Sequence, residues 1–253
     1  MIKILMSGCN GRMGQVISVM VSQRSDAEII CGVDPYDGIK NEYPVYSYFD
    51  DVKEKPDVII DFSNPSALSG LLKYAAQNNV PCVLCTTGYS KEQIESINKA
   101  AESIAVFRSG NMSLGINLLI EISKTAAKVL GSDYDIEIVE KHHNRKIDAP
   151  SGTALMIADG ISEVEEYEPE YVYDRHSVRK KRDKKEIGIS SIRGGNIVGE
   201  HDVIFAGENE VLTISHHAQS RNLFGEGAVN AAVFLADKKP GNYDMTDLLK
   251  ERY

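Results

Sequence analysis

The sequence predicts an α/β protein whose first half is a parallel sheet covered by helices and whose second half carries a separate, mixed sheet. Two observations predict it. From Ile2 to Phe107, short apolar runs alternate with helical patterns across short connections, which implies parallel strands with helices on both faces. From Glu186 to His217, three runs alternate apolar and polar residues with only glycine-bearing turns between them, as half-buried strands do. At 253 residues the chain exceeds one average domain and suits two modest ones.

Composition excludes several classes. Hydrophobic residues at 42% and charged residues at 26% are ordinary for a globular protein and leave room for a full core. A formal net charge of −9 argues against nucleic acid or an anionic membrane as partner, although a local field can still oppose the global sign. No apolar run reaches about 18 residues, so a spanning helix is not expected. The amino terminus enters a strand pattern at once, without a signal-peptide pattern, so a cytoplasmic protein is expected. Cys82 and Cys85 have CxxC spacing, yet Val80 to Thr86 reads as a buried strand. Residues three apart on a strand face opposite ways, which suits neither a shared metal nor a disulfide. With Cys9 and Cys31 they read as core thiols of a reducing compartment.

The first strand, Ile2 to Met6, runs into Gly8-Cys9-Asn10-Gly11-Arg12-Met13-Gly14 and then a helical pattern from Val16 to Val21. Strand, glycine turn and helix in that order are the context of a dinucleotide fingerprint. The spacing departs from G-x-G-x-x-G, because Cys9 stands where the first glycine would fall and Gly8 sits one earlier. The next strand, Ala27 to Val33, ends in Asp34, 20 residues after Gly14, where an acid accepts hydrogen bonds from ribose hydroxyls. Turn and acid together favour a Rossmann-type dinucleotide-binding domain over a structural turn. Pro35 and Tyr36 follow Asp34, with no arginine beside it for a 2′-phosphate, and a carboxylate repels that phosphate. NADH is therefore favoured, with NADPH possible if Arg12 compensates.

The alternation continues. Asp57 to Phe62 reads as a strand, Ala67 to Gln77 as a helix opened by Asn64-Pro65-Ser66, and Val80 to Cys85 as a strand leading into Thr86-Thr87-Gly88. Lys91 to Ala101 reads as a helix and Ile104 to Phe107 as a strand leading into Ser109-Gly110-Asn111-Met112. Ligands of such sheets lie beyond the carboxyl ends of the strands, where both loops sit, though spacing alone allows ordinary turns equally. Ser113 to Leu130 reads as a long helix bridging the two domains.

The richest chemistry lies in Glu140-Lys-His-His-Asn-Arg-Lys-Ile-Asp-Ala-Pro-Ser-Gly-Thr-Ala154. The preceding run, Tyr134 to Val139, alternates like a half-buried strand, and Ala154 to Val164 has a helical pattern that opens near Pro150. His142 and His143 point to opposite faces if the strand persists, so one suits acid–base work and the other a grip on substrate. Lys146 stands where a turn can return its ammonium to the histidines. Ser151-Gly152-Thr153 places backbone N–H groups and a capping hydroxyl at a helix start, a natural seat for a carboxylate or phosphate. Adjacent histidines at a strand end are often plain surface residues, and their spacing matches no zinc pattern. It is the whole cluster that favours catalysis.

Beyond it, Glu163 to Glu170 is acidic and Arg175 to Lys185 strongly basic. Without interleaved aromatics the basic run reads as a solvated connection rather than a nucleic-acid patch. Glu186 to Arg193, Asn196 to Ala206 and Glu210 to His217 read as antiparallel strands, with Gly194-Gly195 and Gly207 to Glu210 as hairpin turns. With Asp133 to Glu140 they make a mixed four-stranded sheet. One face meets helices, and the other carries alternating apolar residues that need cover, most economically from a second subunit. His216 and His217 form a second pair, read as structural. Asn222 to Leu235 is a helix, broken at Pro240-Gly241 before a tail from Met245 to Arg252.

The stretch EKHHNRKIDAPSGTA resembles the signature of the dihydrodipicolinate reductases of bacterial lysine biosynthesis, E-x-H-H-x-x-K-x-D-A-P-S-G-T-A, with every fixed position present. The G-x-x-G-R-M-G turn is also that family's form, which accounts for the departure noted above, and the resemblance covers essentially the whole chain. It implies reduction of 4-hydroxy-tetrahydrodipicolinate to tetrahydrodipicolinate by a nicotinamide cofactor in the cleft between domains. It implies His142 as acid–base group, Lys146 as second proton donor, and His143 with the backbone of Gly152 and Thr153 as the seat of a substrate carboxylate. The cofactor would lie against Gly8 to Met13, Asp34, the loop Cys85-Thr86-Thr87 and the loop Ser109 to Met112. The α+β substrate and oligomerisation domain, 113–220, would be an insertion in a nucleotide domain formed by 1–112 and 221–253, and the protein a homotetramer built around the mixed sheet. Two rivals are an NAD-dependent sugar or polyol dehydrogenase, which leaves the APSGT turn unexplained, and a non-enzymatic NADH-sensing protein, which leaves His142 and Lys146 without a task.

Overall fold

A computed structural model describes residues 1–251. In chain order the elements are β1 (Ile2–Ser7), α1 (Arg12–Ser22), β2 (Ala27–Val33), β3 (Val45–Tyr46), β4 (Val58–Asp61), α2 (Leu68–Asn78), β5 (Cys82–Leu84), α3 (Lys91–Ala100) and β6 (Ala105–Arg108). There follow α4 (Leu114–Leu130), β7 (Asp135–His142), α5 (Gly152–Ser162), β8 (Glu170–Val172), β9 (Glu186–Arg193), β10 (Gly199–Ala206) and β11 (Val211–Ala218). Last come α6 (Asn222–Leu235), β12 (Gly241–Tyr243) and α7 (Met245–Lys250). Arg252, to which the tail was expected to run, lies outside the described residues. The chain divides into two compact units, one of Met1–Ser113 with Asn222 onward, the other of Leu114–Arg221. The long helix α4, expected as a bridge, lies wholly inside the second unit.

The first unit is the predicted α/β layer structure. Its seven strands are all parallel, in the order β12-β6-β5-β4-β1-β2-β3. Strands covered on both faces must be apolar on both, and β1 and β4 are: Ile4, Leu5, Met6, Val58, Ile59 and Ile60 have no exposed surface. Leu5, Ile59, Leu84 and Val106 pack with Leu68, Leu71 and Ala75 of α2 and Ile97 of α3. On the other face α6 covers β4, β5 and β6, and Phe107 meets Phe234 edge to face at 6.1 Å. The chain winds away from β1 in both directions, so its topological switch point lies between the ends of β1 and β4.

The second unit carries a mixed sheet of five strands, β11-β10-β7-β9-β8, where four were expected. The additional strand, β8, is too short for a periodic pattern and sits at the edge, parallel to β9. The expected hairpin through Gly194-Gly195 does not form. β7 lies between β9 and β10, parallel to the first and antiparallel to the second. The 194–198 link therefore crosses the end of β7, a span of about 10 Å between second-neighbour strands that five residues cover with ease. Only β10 and β11 pair as the hairpin reading required.

One face of this sheet presents Ile136, Ile138, Ile187, Ile189, Val203 and Phe205 to Leu119 and Ala127 of α4 and to Ala154, Ile157, Ala158 and Ile161 of α5. The opposite face is more mixed than the expected apolar surface, because Lys141 Nζ pairs there with Glu200 at 3.2 Å and Asp202 at 3.0 Å. The basic run is only partly solvated. Arg182 donates to Asp135, Glu137 and the carbonyls of Ile136 and Glu186, and Arg175 and Lys180 meet the fully buried Glu186 side chain. A carboxylate removed from water needs such partners, and they draw this segment down onto the sheet.

Replacing Phe205, which has no exposed surface, by alanine should cost about 3–5 kcal/mol, the range for emptying a buried aromatic site. Chemical denaturation followed by circular dichroism measures it. Exposed Thr213→Ala should stay within about 0.5 kcal/mol.

Candidate functional site

At the switch point the carboxyl ends of β1 and β4 open onto a cavity of about 610 Å3, lined among others by Ser7, Gly8, Gly11, Asp34, Phe62 and Ser63. Gly8 has φ +77, and a Cβ there would stand 2.5 Å from the Phe62 carbonyl oxygen. No other residue fits that turn. Gly14 begins the helix so close to the turn that its Cβ would lie 2.3 Å from the Gly8 carbonyl oxygen. Gly8 thus takes the tight-turn role one position early, which explains the shifted spacing. Asp34 accepts from the backbone amides of Asn10 at 2.9 Å and Tyr36 at 3.0 Å, bracing the turn that it faces.

Of the sequence-predicted cofactor residues, Gly8, Gly11 and Asp34 line this cavity. Cys9 does not: it is fully buried, and burial with the nearby Asp34 charge pushes its thiol up to about 12, so it is an inert core group. Asn10 turns inward to the Tyr36 carbonyl and to Asn41, Arg12 is exposed, and Met13 is half-buried at the start of α1. Burial and Asp61 raise the Cys85 thiol well above its ordinary value. Thr86 is buried and Thr87 exposed at the end of β5. Ser109 bonds the backbone of Asn111 beside exposed Gly110, and Met112 is buried.

Asp61 is a residue that sequence reasoning passed over. Buried at the end of β4, it accepts from Ser7 at 2.7 Å, Ser63 at 2.5 Å, Thr86 at 2.6 Å and Tyr89 at 3.3 Å. One carboxylate thereby ties together the loops that follow three strands. An acid ending an apolar strand was its only signal.

In the second unit, Glu140 organises the signature loop. Its side chain is fully buried. Its Oε2 lies 2.6 Å from His142 Nδ1 and accepts from Arg193 Nη1 at 2.8 Å, while Oε1 accepts from Arg193 Nη2 at 2.7 Å and from the Ser151 amide at 3.1 Å. Burial by itself raises the carboxyl, but the bonds from Arg193, Ser191 and His142 outweigh it and hold it down at about 2. The carboxylate accepts at Nδ1, which places a ring proton there and leaves Nε2 as the nitrogen that Glu140 does not engage.

His143 follows the strand end. Arg221 Nη2 donates to its Nε2 at 3.2 Å, and its Nδ1 is buried without a protein partner. Partial burial, then the charges of Arg145, Arg221, His142 and Lys146, lower its pKa, so the ring stays neutral with its proton at Nδ1. The Lys146 amide donates to the His143 carbonyl at 3.1 Å, closing the turn that its spacing suggested. The Lys146 ammonium pairs with Asp148 at 2.9 Å. Gly194, whose amide donates to the His142 carbonyl at 2.9 Å, and Gly195, with φ +47 and a carbonyl accepting from Asn144, brace the loop from the crossing link.

Helix α5 begins after the loop. Ser151 is its N-cap, accepting from the Ala154 amide at 3.1 Å and meeting His201 Nε2 at 3.1 Å. A Cβ on Gly152 would meet nothing within 4 Å, so the approach to the helix start is open there, and Thr153 follows in the first turn. Sequence reasoning missed His201 and Arg193. His201 is buried opposite Glu140 across the β7–β10 ladder, and burial, with the His142 charge, lowers it to about 4. His216, its neighbour on β11, is also lowered by burial, whereas His217 pairs with Glu200 at 3.4 Å. Among the described residues no cluster of three His, Cys, Asp or Glu could hold a metal, and no helix is long and apolar enough to cross a membrane.

The arrangement matches known proteins over its length. Residues 2–112 match the family described as "Dihydrodipicolinate reductase, N-terminus", and residues 115–249 its "C-terminus" counterpart. A 4-hydroxy-tetrahydrodipicolinate reductase of Caldanaerobacter subterraneus subsp. tengcongensis is 53% identical over 251 residues, 99% of each chain. One of Clostridium novyi is 45% identical over 252 residues, covering 100% of each chain. Among solved structures, a dipicolinate-bound dihydrodipicolinate reductase of Paenisporosarcina sp. TG-14 superposes with TM-score 0.79 at 26% identity, over 96% of this chain and 97% of that one. A myo-inositol dehydrogenase of Corynebacterium glutamicum, at 15% identity and TM-score 0.56 over 95% of this chain and 90% of its own, shares the fold alone.

Gly8→Ala should weaken NADH binding about tenfold or more, since the left-handed backbone alone costs a side chain about 1–2 kcal/mol before the overlap with Phe62. Isothermal titration reads it; wild-type affinity in a folded variant would remove this turn from the nucleotide site.

Proposed function

The chain belongs to the dihydrodipicolinate reductase family, and on that premise we propose that it reduces 4-hydroxy-tetrahydrodipicolinate to tetrahydrodipicolinate, with loss of water. It is an NAD(P)H-dependent oxidoreductase of the diaminopimelate route to lysine. The observation that carries the proposal is the loop of residues 140–154. Within fifteen residues it holds a carboxylate-anchored imidazole, a second imidazole with an unpartnered nitrogen and an ammonium paired to Asp148, and it ends at the open start of a helix.

The first unit fits a dinucleotide: a glycine turn that no Cβ can enter and an acid at the end of β2 line one cavity at the switch point. When bound there, the reduced nicotinamide supplies the hydride. Gly8 and Gly11 would hold the pyrophosphate, Asp34 the ribose hydroxyls, and the loops after β5 and β6 the nicotinamide end. NADH is the preferred form in this reading. Asp34 opposes a 2′-phosphate, and Lys73, a cation lining the cavity, is already held by Asp50 at 3.0 and 3.1 Å.

The remaining steps belong to the second unit. Loss of water leaves a cyclic unsaturated imine, and reduction of its electron-poor carbon places negative charge on the ring, which a proton must quench. His142 delivers it from Nε2 as the imidazolium, having first taken that proton from water, while its Nδ1–H stays bonded to Glu140, and Lys146 is a second donor. His143 offers Nδ1–H to one carboxylate, with the amides of Gly152 and Thr153 at the positive end of α5. The substrate is a small dicarboxylate, in keeping with the dipicolinate bound by the structural relative. A homotetramer joined through the mixed sheet is proposed as the assembled form, supported by exposed Ile192 and Val211.

Purified protein given the fresh condensation product of aspartate semialdehyde and pyruvate should consume NADH, followed by absorbance, and faster than NADPH at equal concentrations. Consumption no greater than background overturns the proposal. Lys146→Ala should lower kcat by about 100-fold or more while changing NADH affinity little; equal losses in both would make Lys146 a folding residue. Light scattering on a sizing column should give four chains per particle.

A further inference from the structure

We propose that Arg193 is a positioning residue for proton transfer: it keeps Glu140 ionised beneath His142, so that the imidazole holds its proton at Nδ1 and works through Nε2. This rests on the reading of His142 as the acid–base group. Arg193 ends β9, paired in register with His142 at the end of β7. Its guanidinium bonds both Glu140 oxygens, and Nη2 also donates to the Asp148 carbonyl at 2.7 Å. One side chain therefore fixes the carboxylate under the first proton donor and the far end of the loop carrying the second.

The groups facing Glu140 are His142 on its own strand, Arg193 and Ser191 on β9, His201 on β10 and the Ser151 amide at the start of α5. Of these only Arg193 is a permanent cation; His201 is neutral because burial holds it near 4. A buried carboxylate without a counter-charge takes up a proton. Protonated Glu140 would no longer be an obligatory acceptor at Nδ1, and the ring would lose the bond that selects its tautomer and steadies the imidazolium. With Arg193 present the carboxyl sits at about 2. It therefore stays ionised throughout the working range, and the link between β9 and His142 is invisible in the intact enzyme.

The test is kcat against pH at saturating NADH and substrate for the full-length wild type, Arg193→Met and Arg193→Lys, with dipicolinate affinity and thermal melting measured alongside. The wild type should show no acid loss from Glu140. R193M should lose about 100-fold at the acid end and recover as pH rises, adding a limb between about pH 5 and 8, where unpaired buried carboxyls titrate. R193K, which keeps the charge, should lack that limb, and dipicolinate affinity should stay within about threefold in all three. A pH-independent loss in R193M, or a rise in KM with kcat unchanged, overturns the inference. If R193M does not fold, Glu140→Gln serves instead. Its kcat should be low at every pH with dipicolinate affinity kept, and wild-type kcat in E140Q overturns the inference equally. His142→Asn separates the premise. Full turnover in H142N sinks the reading of His142 and this inference with it, whereas an inactive H142N beside a pH-flat R193M sinks the inference alone.

Discussion

A carboxylate with no exposed surface has to find all its hydrogen bonds within the protein, and Glu140 finds them on three elements at once. A ring on its own strand, a guanidinium on the parallel neighbour and an amide at the start of α5 converge on its two oxygens. Burying an ion pair seldom adds much net stability, because desolvation offsets the attraction. What it contributes here is geometry. Any other register of β9 against β7 would strand a charge, so the pair fixes register, loop path and helix entry together.

The same economy explains where polarity appears in the second sheet. Along the inward face of β7 the residues run Ile136, Ile138, Glu140, His142, and along β10, in the opposite direction, Phe205, Val203, His201, Gly199. The face is a hydrophobic seat for α4 and α5 over half its length and a polar site over the rest. Its period of two never breaks. The parallel sheet reaches a comparable result differently: its two central strands are apolar through Ile4–Met6 and Val58–Ile60, and buried polar groups follow at their carboxyl ends, at Ser7 and Asp61. Each sheet thereby keeps its packing and its chemistry in separate zones, so neither compromises the other.

Features written in consecutive residues were legible in the sequence. Strand, glycine turn and helix at the amino terminus, Asp34 at the end of β2 and the capped start of α5 depend on local rules. The turn that returns Lys146 toward His143 was legible for the same reason. Pairings across long separations were not. Glu140 and Arg193 are 53 positions apart, and an arginine closing an alternating run looks solvated until its strand is known to lie beside β7. Gly194-Gly195 misled because a glycine pair between two strands usually makes a hairpin. Here β7 needs hydrogen-bonding partners on both edges, and its insertion between β9 and β10 turned the pair into a crossing that braces the loop after β7. The basic segment misled similarly, since the buried Glu186 it serves lies just beyond the run itself.

Charge balance supplies the last constraint. The chain as a whole is acidic, at −9, yet Arg145, Lys146 and Arg221 sit close enough to His143 to depress its protonation. Positive charge assembled against the global sign favours an anion at that point and steers it there. A second imidazolium would strengthen the field but leave a desolvated cation when the site is empty. A neutral ring whose free nitrogen carries a proton provides a directed donor without that cost. Burial first, and then the repulsion from these neighbouring cations, favour that uncharged form of His143.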